Sequence, residues 1–245
     1  MKPYRSIEIK ECDDPLVAIP TTEFSLEYPS AYQKLGADYG DKSPYYLRQQ
    51  VLNKLLQAKQ ELNQIEPNWQ FKIFGAYRPI AIQKYMVEHT FSAICQEKSL
   101  NPQQLTEKET EDIYQEVYKL WAIPSHNNLT PPPHSTGSAI DLTFMTEDGI
   151  EIDMGGEIDE LSPRSHPNYY QNNDHPQSSI FHSRRQLLQQ VMTKMGFRRH
   201  PEEWWHFSYG DQLWAWLENQ SNPQTNTIAI YGNALNINKE QKVPL

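Results

Sequence analysis

The chain has 245 residues, 38% of them hydrophobic and 22% charged, with a formal net charge of −9. That length can bury a proper core in one large domain or two small ones, and the acidic balance argues against an extended nucleic-acid-binding face while leaving room for a local basic pocket. Two cysteines, Cys12 and Cys95, are too few for a disulfide framework and too far apart for a thiolate metal site, so a reducing, cytoplasmic setting is expected.

The opening stretch MKPYRSIEIKECDD has no apolar run of signal-peptide type, and no segment approaches the roughly 18 apolar residues of a membrane span, so no membrane partner is expected. Residues 1–45 are irregular, with short strands expected at SIEIK (6–10) and LVAIP (16–20). Leu47, Val51, Leu55 and Leu62 recur on one face of a helix across 45–65, with Leu52 and Leu56 beside them. FKIFGAYRP then reads as a buried strand ending at Pro79, and 80–97 as a helix. Within 101–121, Ile113, Val117 and Leu120 with Tyr114, Tyr118 and Trp121 mark a helix packed on one side.

SAIDLTF (138–144) reads as a core strand closed by the turn EDG, with GIEIDMGG as its hairpin partner. A polar loop covers 161–178, and a helix from Ser179 to Met195 stops at Gly196. WWHFSYG is strand-like, DQLWAWLEN a short helix, and TIAIYG one short strand in an Asn/Gln-rich tail. Helices and strands mix without regular βαβ alternation. The expectation is therefore an α+β fold, a small antiparallel central sheet flanked by helices, in one domain over 1–218 with a partly extended tail over 219–245.

Three clusters carry possible chemistry. In PPPHSTGSAID, His134 stands at the mouth of the core strand and Asp141 interrupts its apolar run. A carboxylate buried there must be paired, hydrogen-bonded or metal-bound, whereas on the solvent face of a half-buried strand it needs nothing. In EEWWHF, Glu203 precedes His206 by three residues, with two tryptophans between them as a dry wall. Positions i and i+3 of a regular strand face opposite ways, so one shared site requires Glu203 on a turn ahead of the strand, which Pro201 allows. The alternative is an aromatic core strand with a hydrogen-bonded histidine. In FGAYRP, Pro79 biases Arg78 toward extended backbone, from which its five donors can face a developing oxyanion; a surface salt bridge is the plain alternative.

Taken together, His134, Asp141 and His206 offer zinc three N/O ligands and leave a fourth position open, which is the layout of a catalytic site and not of a closed structural one. Glu203 would then be placed to take a proton from water. His89, His126, His175, His182 and His200 have no acidic or metal-like context and read as structural or solvated, while His166 lies in a loop that can approach a site.

GAYRP, HSTGSAIDLT and EWWHF resemble, in order and spacing, the zinc D-alanyl-D-alanine dipeptidases, the group that includes the vancomycin-resistance dipeptidase. The likeness covers residues from about 40 to 210, and the doubled tryptophan is closer to these dipeptidases than to the related zinc D,D-carboxypeptidases. The resemblance implies the Hedgehog/D,D-peptidase-like fold and one zinc per chain on His134, Asp141 and His206. It also implies Glu203 as catalytic base, Arg78 as the transition-state arginine, and Asp159 (in DMGGEID) with Tyr28 at the substrate ammonium. The implied reaction is hydrolysis of D-alanyl-D-alanine to two D-alanines. A D,D- or L,D-carboxypeptidase acting on peptidoglycan stems, or a non-catalytic binder of cell-wall peptide, shares much of the same pattern. Three positions depart from the vancomycin-resistance type: Pro132 and Pro133 stand in place of serines, and Thr136 in place of an arginine.

Overall fold

The computed structural model describes residues 2–234. Its elements in chain order are β1 (Leu16–Ala18), β2 (Ser25–Leu26), α1 (Ala31–Lys34), β3 (Tyr46–Arg48), α2 (Gln49–Ile65), β4 (Trp69–Gly75), α3 (Ile80–Glu97), α4 (Glu107–Leu120), β5 (Ala139–Thr146), α5 (Ser178–Lys194), β6 (Arg198–Arg199), β7 (His206–Ser208) and α6 (Gln212–Ser221). No helix among the described residues is long and apolar enough to cross a membrane.

The central sheet runs β2-β4-β5-β7-β6. It is antiparallel except at one edge, where the two-residue β2 adds in parallel to β4. A separate antiparallel pair joins β1 to β3. That pairing explains why the first long helix begins at Gln49 and not at Tyr45: Tyr46–Arg48 are spent on hydrogen bonds to β1.

Alternation along the strands decides what each sheet face carries. Phe71 and Ile73 of β4, Ile140, Leu142 and Phe144 of β5, and Phe207 of β7 all enter one apolar cluster with α2 and α5. On α2, Val51, Leu55, Ala58 and Leu62 form the buried stripe, and on α5 Leu188, Val191 and Met192 meet it. The residues between, Asp141 and Thr143 on β5 and His206 and Ser208 on β7, are thereby sent to the other face, and all four are buried. A second cluster built from α3, α4, Tyr32 and Tyr39 lies apart from the first.

Three expected strands, SIEIK, GIEIDMGG and TIAIYG, shrink to single bridges, the last through Ala229. Within 6–10 only Ile9 pairs, with Ala229, because Pro3 starts a 3-10 turn over Pro3–Ser6. In GIEIDMGG only Glu151 bridges Met145. At the other end, α6 runs through residue 218 to Ser221, and Ala229, Tyr231 and Ala234 are buried, Tyr231 within the main cluster. The remainder of the tail lies outside the described residues.

Leu55 has no exposed surface and joins α2 to the sheet cluster. Truncating it leaves a cavity that this packed interior cannot close. Leu55→Ala is expected to lower unfolding free energy by about 2–5 kcal/mol, read from the denaturant midpoint at unchanged slope.

Candidate metal centre and active site

Asp141 and His206 are direct cross-strand partners, so their side chains leave the sheet side by side on the face opposite the α2–α5 core. His134 comes from a 3-10 turn, Pro133–Thr136, that delivers the chain into β5. The three converge. His206 Nδ1 lies 3.0 Å from Asp141 Oδ1, His134 Nε2 lies 3.1 Å from Asp141 Oδ2, and the two ring nitrogens are 3.1 Å apart.

His134 Nδ1 donates to the carbonyl of Ala76 at 2.6 Å, which leaves Nε2 as the bare nitrogen turned toward Asp141 and His206. A single proton on His206 Nδ1 cannot serve both the carboxylate and that lone pair. A cation at the centre satisfies all three groups at once, and a tetrahedral zinc with bonds of about 2.0–2.2 Å sets its ligand atoms roughly 3.3–3.5 Å apart, close to the spacing here. Among the described residues, this His–Asp–His set is the one group of three or more such side chains whose donor atoms converge closely enough to hold a metal ion.

The electrostatics follow from burial. Burial pushes the His134 imidazole down to about 4, with the charges of Arg78 and His206 adding to it against Asp141, so the ring is neutral at pH 7. Burial alone would raise Asp141, but the two histidines hold its carboxyl well below the usual carboxylate range. For His206, burial works downward and is outweighed by the hydrogen bond and charge of Asp141, so the ring sits above its ordinary value.

Arg78 follows β4, and its segment is clamped to the histidine turn: Arg78 N–H donates to His134 O at 3.1 Å, and Ser135 Oγ donates to Arg78 O at 2.8 Å. The guanidinium is buried, not on the surface. It donates to Asp141 Oδ2 at 3.3 Å, to Gln83 Oε1 at 3.0 Å and to the Tyr32 hydroxyl, and it lies between the rings of Tyr32 and Trp121. Tyr32 in turn donates to Asp159 Oδ2 at 2.7 Å. Asp159 has a left-handed backbone (φ 63°), tolerable for an aspartate but strained, and burial with the charge of Asp141 pushes its carboxyl up to about 6.

Glu203 stands at the tip of the turn between β6 and β7, closed by His200 N–H donating to His206 O at 2.9 Å. That turn resolves the strand-parity problem: Glu203 is off the strand, and its carboxyl oxygens reach to 3.8 Å from both His206 Nδ1 and His200 Nδ1. Burial pushes Glu203 up to about 7, with Asp141 and Asp159 adding and His206 opposing. A cavity of about 30 Å³ joins these groups and is walled by Pro132, Pro133, Trp121 and the N-terminal residues Lys2 and Tyr4. It shares Leu120 and Glu203 with a wider groove of about 770 Å³, along which His166 lies.

Of the sequence-predicted residues, His134, Asp141, His206, Glu203, Arg78 and Asp159 all line the one cavity. Tyr28 does not: it is 59% exposed and rests edge-on against Tyr45. The short helix α1, whose start is held by a Ser30–Gln33 capping box, carries Tyr32 inward in its place. His200, set aside in the sequence as structural, is buried with its ring 5.5 Å from that of His206. Reading 198–208 as a hairpin would have found it, since the two residues flank one turn.

A buried neutral imidazole, a second imidazole and a carboxylate around one point, with a glutamate and an arginine at hand, is the equipment of a metal-dependent hydrolase. The chain belongs to the D-alanyl-D-alanine dipeptidase family of peptidases, whose family model, described as D-ala-D-ala dipeptidase, matches residues 27–226. It is 50% identical over 238 residues to the D-alanyl-D-alanine dipeptidase of Synechocystis sp. (strain PCC 6803), covering 95% of this chain and 96% of that protein. It is 44% identical over 75 residues to the D-alanyl-D-alanine dipeptidase of Escherichia coli (strain K12), covering 30% of this chain and 36% of that one. A solved structure of the LD-carboxypeptidase LdcB aligns over 89% of this chain and 77% of its own, with 19% identity and a TM-score of 0.45.

Gly137 ends the histidine turn with φ 73°, and a Cβ there would come within 2.2 Å of Leu16 Cδ2. Gly137→Ala is expected to cost about 1–2 kcal/mol from the left-handed backbone alone. The clash adds to this, and because the turn carries His134, the variant should both melt earlier by calorimetry and retain metal more weakly on dialysis.

Proposed function

We propose that the protein is a zinc-dependent dipeptidase that hydrolyses D-alanyl-D-alanine to two D-alanines, with one zinc per chain held by His134, Asp141 and His206. The observation that carries this reading is the convergence of those three donors within 4.8 Å of one another, beside a glutamate on a separate turn. The name of the Synechocystis relative, similar along nearly its whole length, supports the substrate. Two unpaired cysteines, one exposed and one buried, support a reducing, cytoplasmic setting.

Zinc bound there supplies Lewis acidity toward the scissile carbonyl and brings the pKa of a water it holds to about 7. The remaining work falls to the chain. Glu203 takes a proton from the attacking water and returns it to the leaving amine, which its place off the strand and clear of the ligand set permits. Arg78, held rigid by Gln83, Tyr32 and Asp141, faces the oxygen that gains charge as the carbonyl becomes tetrahedral. Asp159, oriented by the Tyr32 hydroxyl, takes the free ammonium of the dipeptide. The small cavity, walled on one side by Pro132 and Pro133, limits what can be bound.

Glu203→Gln is expected to keep near-stoichiometric zinc by atomic spectroscopy while kcat falls by on the order of 10²–10⁴. His206→Ala should instead lose the zinc. Normal turnover in the first variant, or normal metal content in the second, refutes the respective role. The wider groove beyond Glu203 leaves space for a longer substrate, so amine selectivity is the decisive assay. N-acetyl-D-Ala-D-Ala is expected to be cut with a kcat/KM on the order of 10² below that of the free dipeptide, because the acylated nitrogen carries no charge to meet the Asp159 carboxylate, which then keeps only its Tyr32 hydrogen bond. Equal rates would mark a carboxypeptidase.

A further inference from the structure

A dipeptide is a zwitterion, and Asp159 accounts only for its ammonium. Its C-terminal carboxylate must enter a cavity that already holds Asp141, Asp159 and Glu203. Desolvating an anion among three carboxylates is unfavourable unless a cation meets it. Two permanent cations line the cavity, Arg78 and Lys2. The terminal nitrogens of Arg78 are engaged by Asp141, Tyr32 and Gln83, and its buried Nε–H, which has no protein partner, is left with the oxyanion role proposed above. The Lys2 ammonium makes no hydrogen bond or ion pair with any described residue.

Lys2 is also held where it is. The turn it enters, Pro3–Ser6, buries Tyr4 against the cavity. Gln212 at the start of α6 donates to Ile7 O at 2.7 Å and to Arg5 O at 3.4 Å, and Arg5 donates to Ile123 O at 3.1 Å. The charge of Lys2 is felt by Glu203 and His200, on the β6–β7 turn, whereas Asp159 is hydrogen-bonded to Tyr32 on the α1 side. A cation, Lys2, and an anion, Asp159, thus line one cavity, the pair of charges that a small zwitterion requires.

We propose that Lys2 is the residue that binds the C-terminal carboxylate of the substrate, a substrate-binding role additional to that of the metal site and resting on the dipeptidase reading. Lys2 thereby makes the N-terminal strap part of the specificity machinery: it selects a free carboxylate as Asp159 selects a free amine.

The test compares D-Ala-D-Ala with its C-terminal amide in the zinc-loaded wild type, Lys2→Gln and Lys2→Arg, resolving kcat and KM. Wild type should prefer the acid by on the order of 10–100-fold in kcat/KM, the worth of one charge-assisted contact. Lys2→Gln should bring that ratio near one through KM, with kcat within a few-fold, and Lys2→Arg should restore most of it. The Lys2 carbonyl, which accepts from Arg5 N–H at 3.2 Å, is kept in every variant, and equal melting temperatures for the three proteins check that the turn is intact. An active Lys2→Gln enzyme that keeps the wild-type acid/amide ratio, or that loses both substrates equally, overturns the Lys2 assignment and leaves the dipeptidase reading standing. A wild type inactive on D-Ala-D-Ala overturns both.

Discussion

The rest of the structure is arranged around one buried carboxylate. Asp141 is 1% exposed in the central strand of the sheet, where an uncompensated charge is ruinous. Compensation comes from three directions: His206 across the strand pair, His134 from the turn before the strand, and Arg78 from the end of the neighbouring strand. Each of these needs its own second anchor, and those anchors account for much of the local architecture. Ala76 O fixes the His134 tautomer, Ser135 ties the Arg78 backbone to the histidine turn, and Gln83, itself bound to Ala122 O at 2.8 Å, braces the guanidinium. Buried charge in this protein is the organising load, and the metal that the three donors fit removes it most completely.

Rigidity is built differently on the two sides of that centre. The ligand side rests on paired strands whose far face is a closed apolar interface with α2 and α5, so the donors inherit the stiffness of the core. The glutamate side rests on a tight turn. That turn is packed from below by Trp204 and Trp205, both 1% exposed, and Trp204 meets the fully buried Arg185. Arg185 donates to Met154 O, Arg164 O and His166 O, which ties the long polar loop beneath the Glu203 turn. In the proposed mechanism the base must hold its place but not become a ligand, and a packed turn beside the sheet suits that separation.

Much of this was legible in the amino-acid order. An aspartate inside an apolar strand, a histidine after three prolines and Glu-x-x-His beside two tryptophans are each anomalous against their local pattern, and Asp141, His134, Glu203 and His206 all line the one cavity. The α2 stripe and the β5 strand were readable for the same reason: their periodicity is strong. What the amino-acid order did not show has a common cause. Tyr32 enters because a short helix turns it inward, His200 because a hairpin folds it back against His206, and Lys2 because α6 captures the N-terminal turn. None of these residues breaks a local pattern, so none announces itself. Tyr28, by contrast, had the right chemistry in nearly the right place, and the direction of one helical turn left it facing solvent.

By itself the sequence singled out the residues proposed for the metal centre and for its base, because a carboxylate or a histidine set in an apolar strand stands out from the pattern around it. It also determined, through strand alternation, that Asp141 and the apolar residues Ile140 and Leu142 must part to opposite faces. What only the tertiary structure decided is which otherwise ordinary residues share the cavity with them. That depends on the β5–β7 register, on the clamp between two turns 56 residues apart at Arg78 and His134, and on where the N-terminal segment docks. Such long-range placement is set by the summed packing of the whole core, and no local pattern along the chain encodes it.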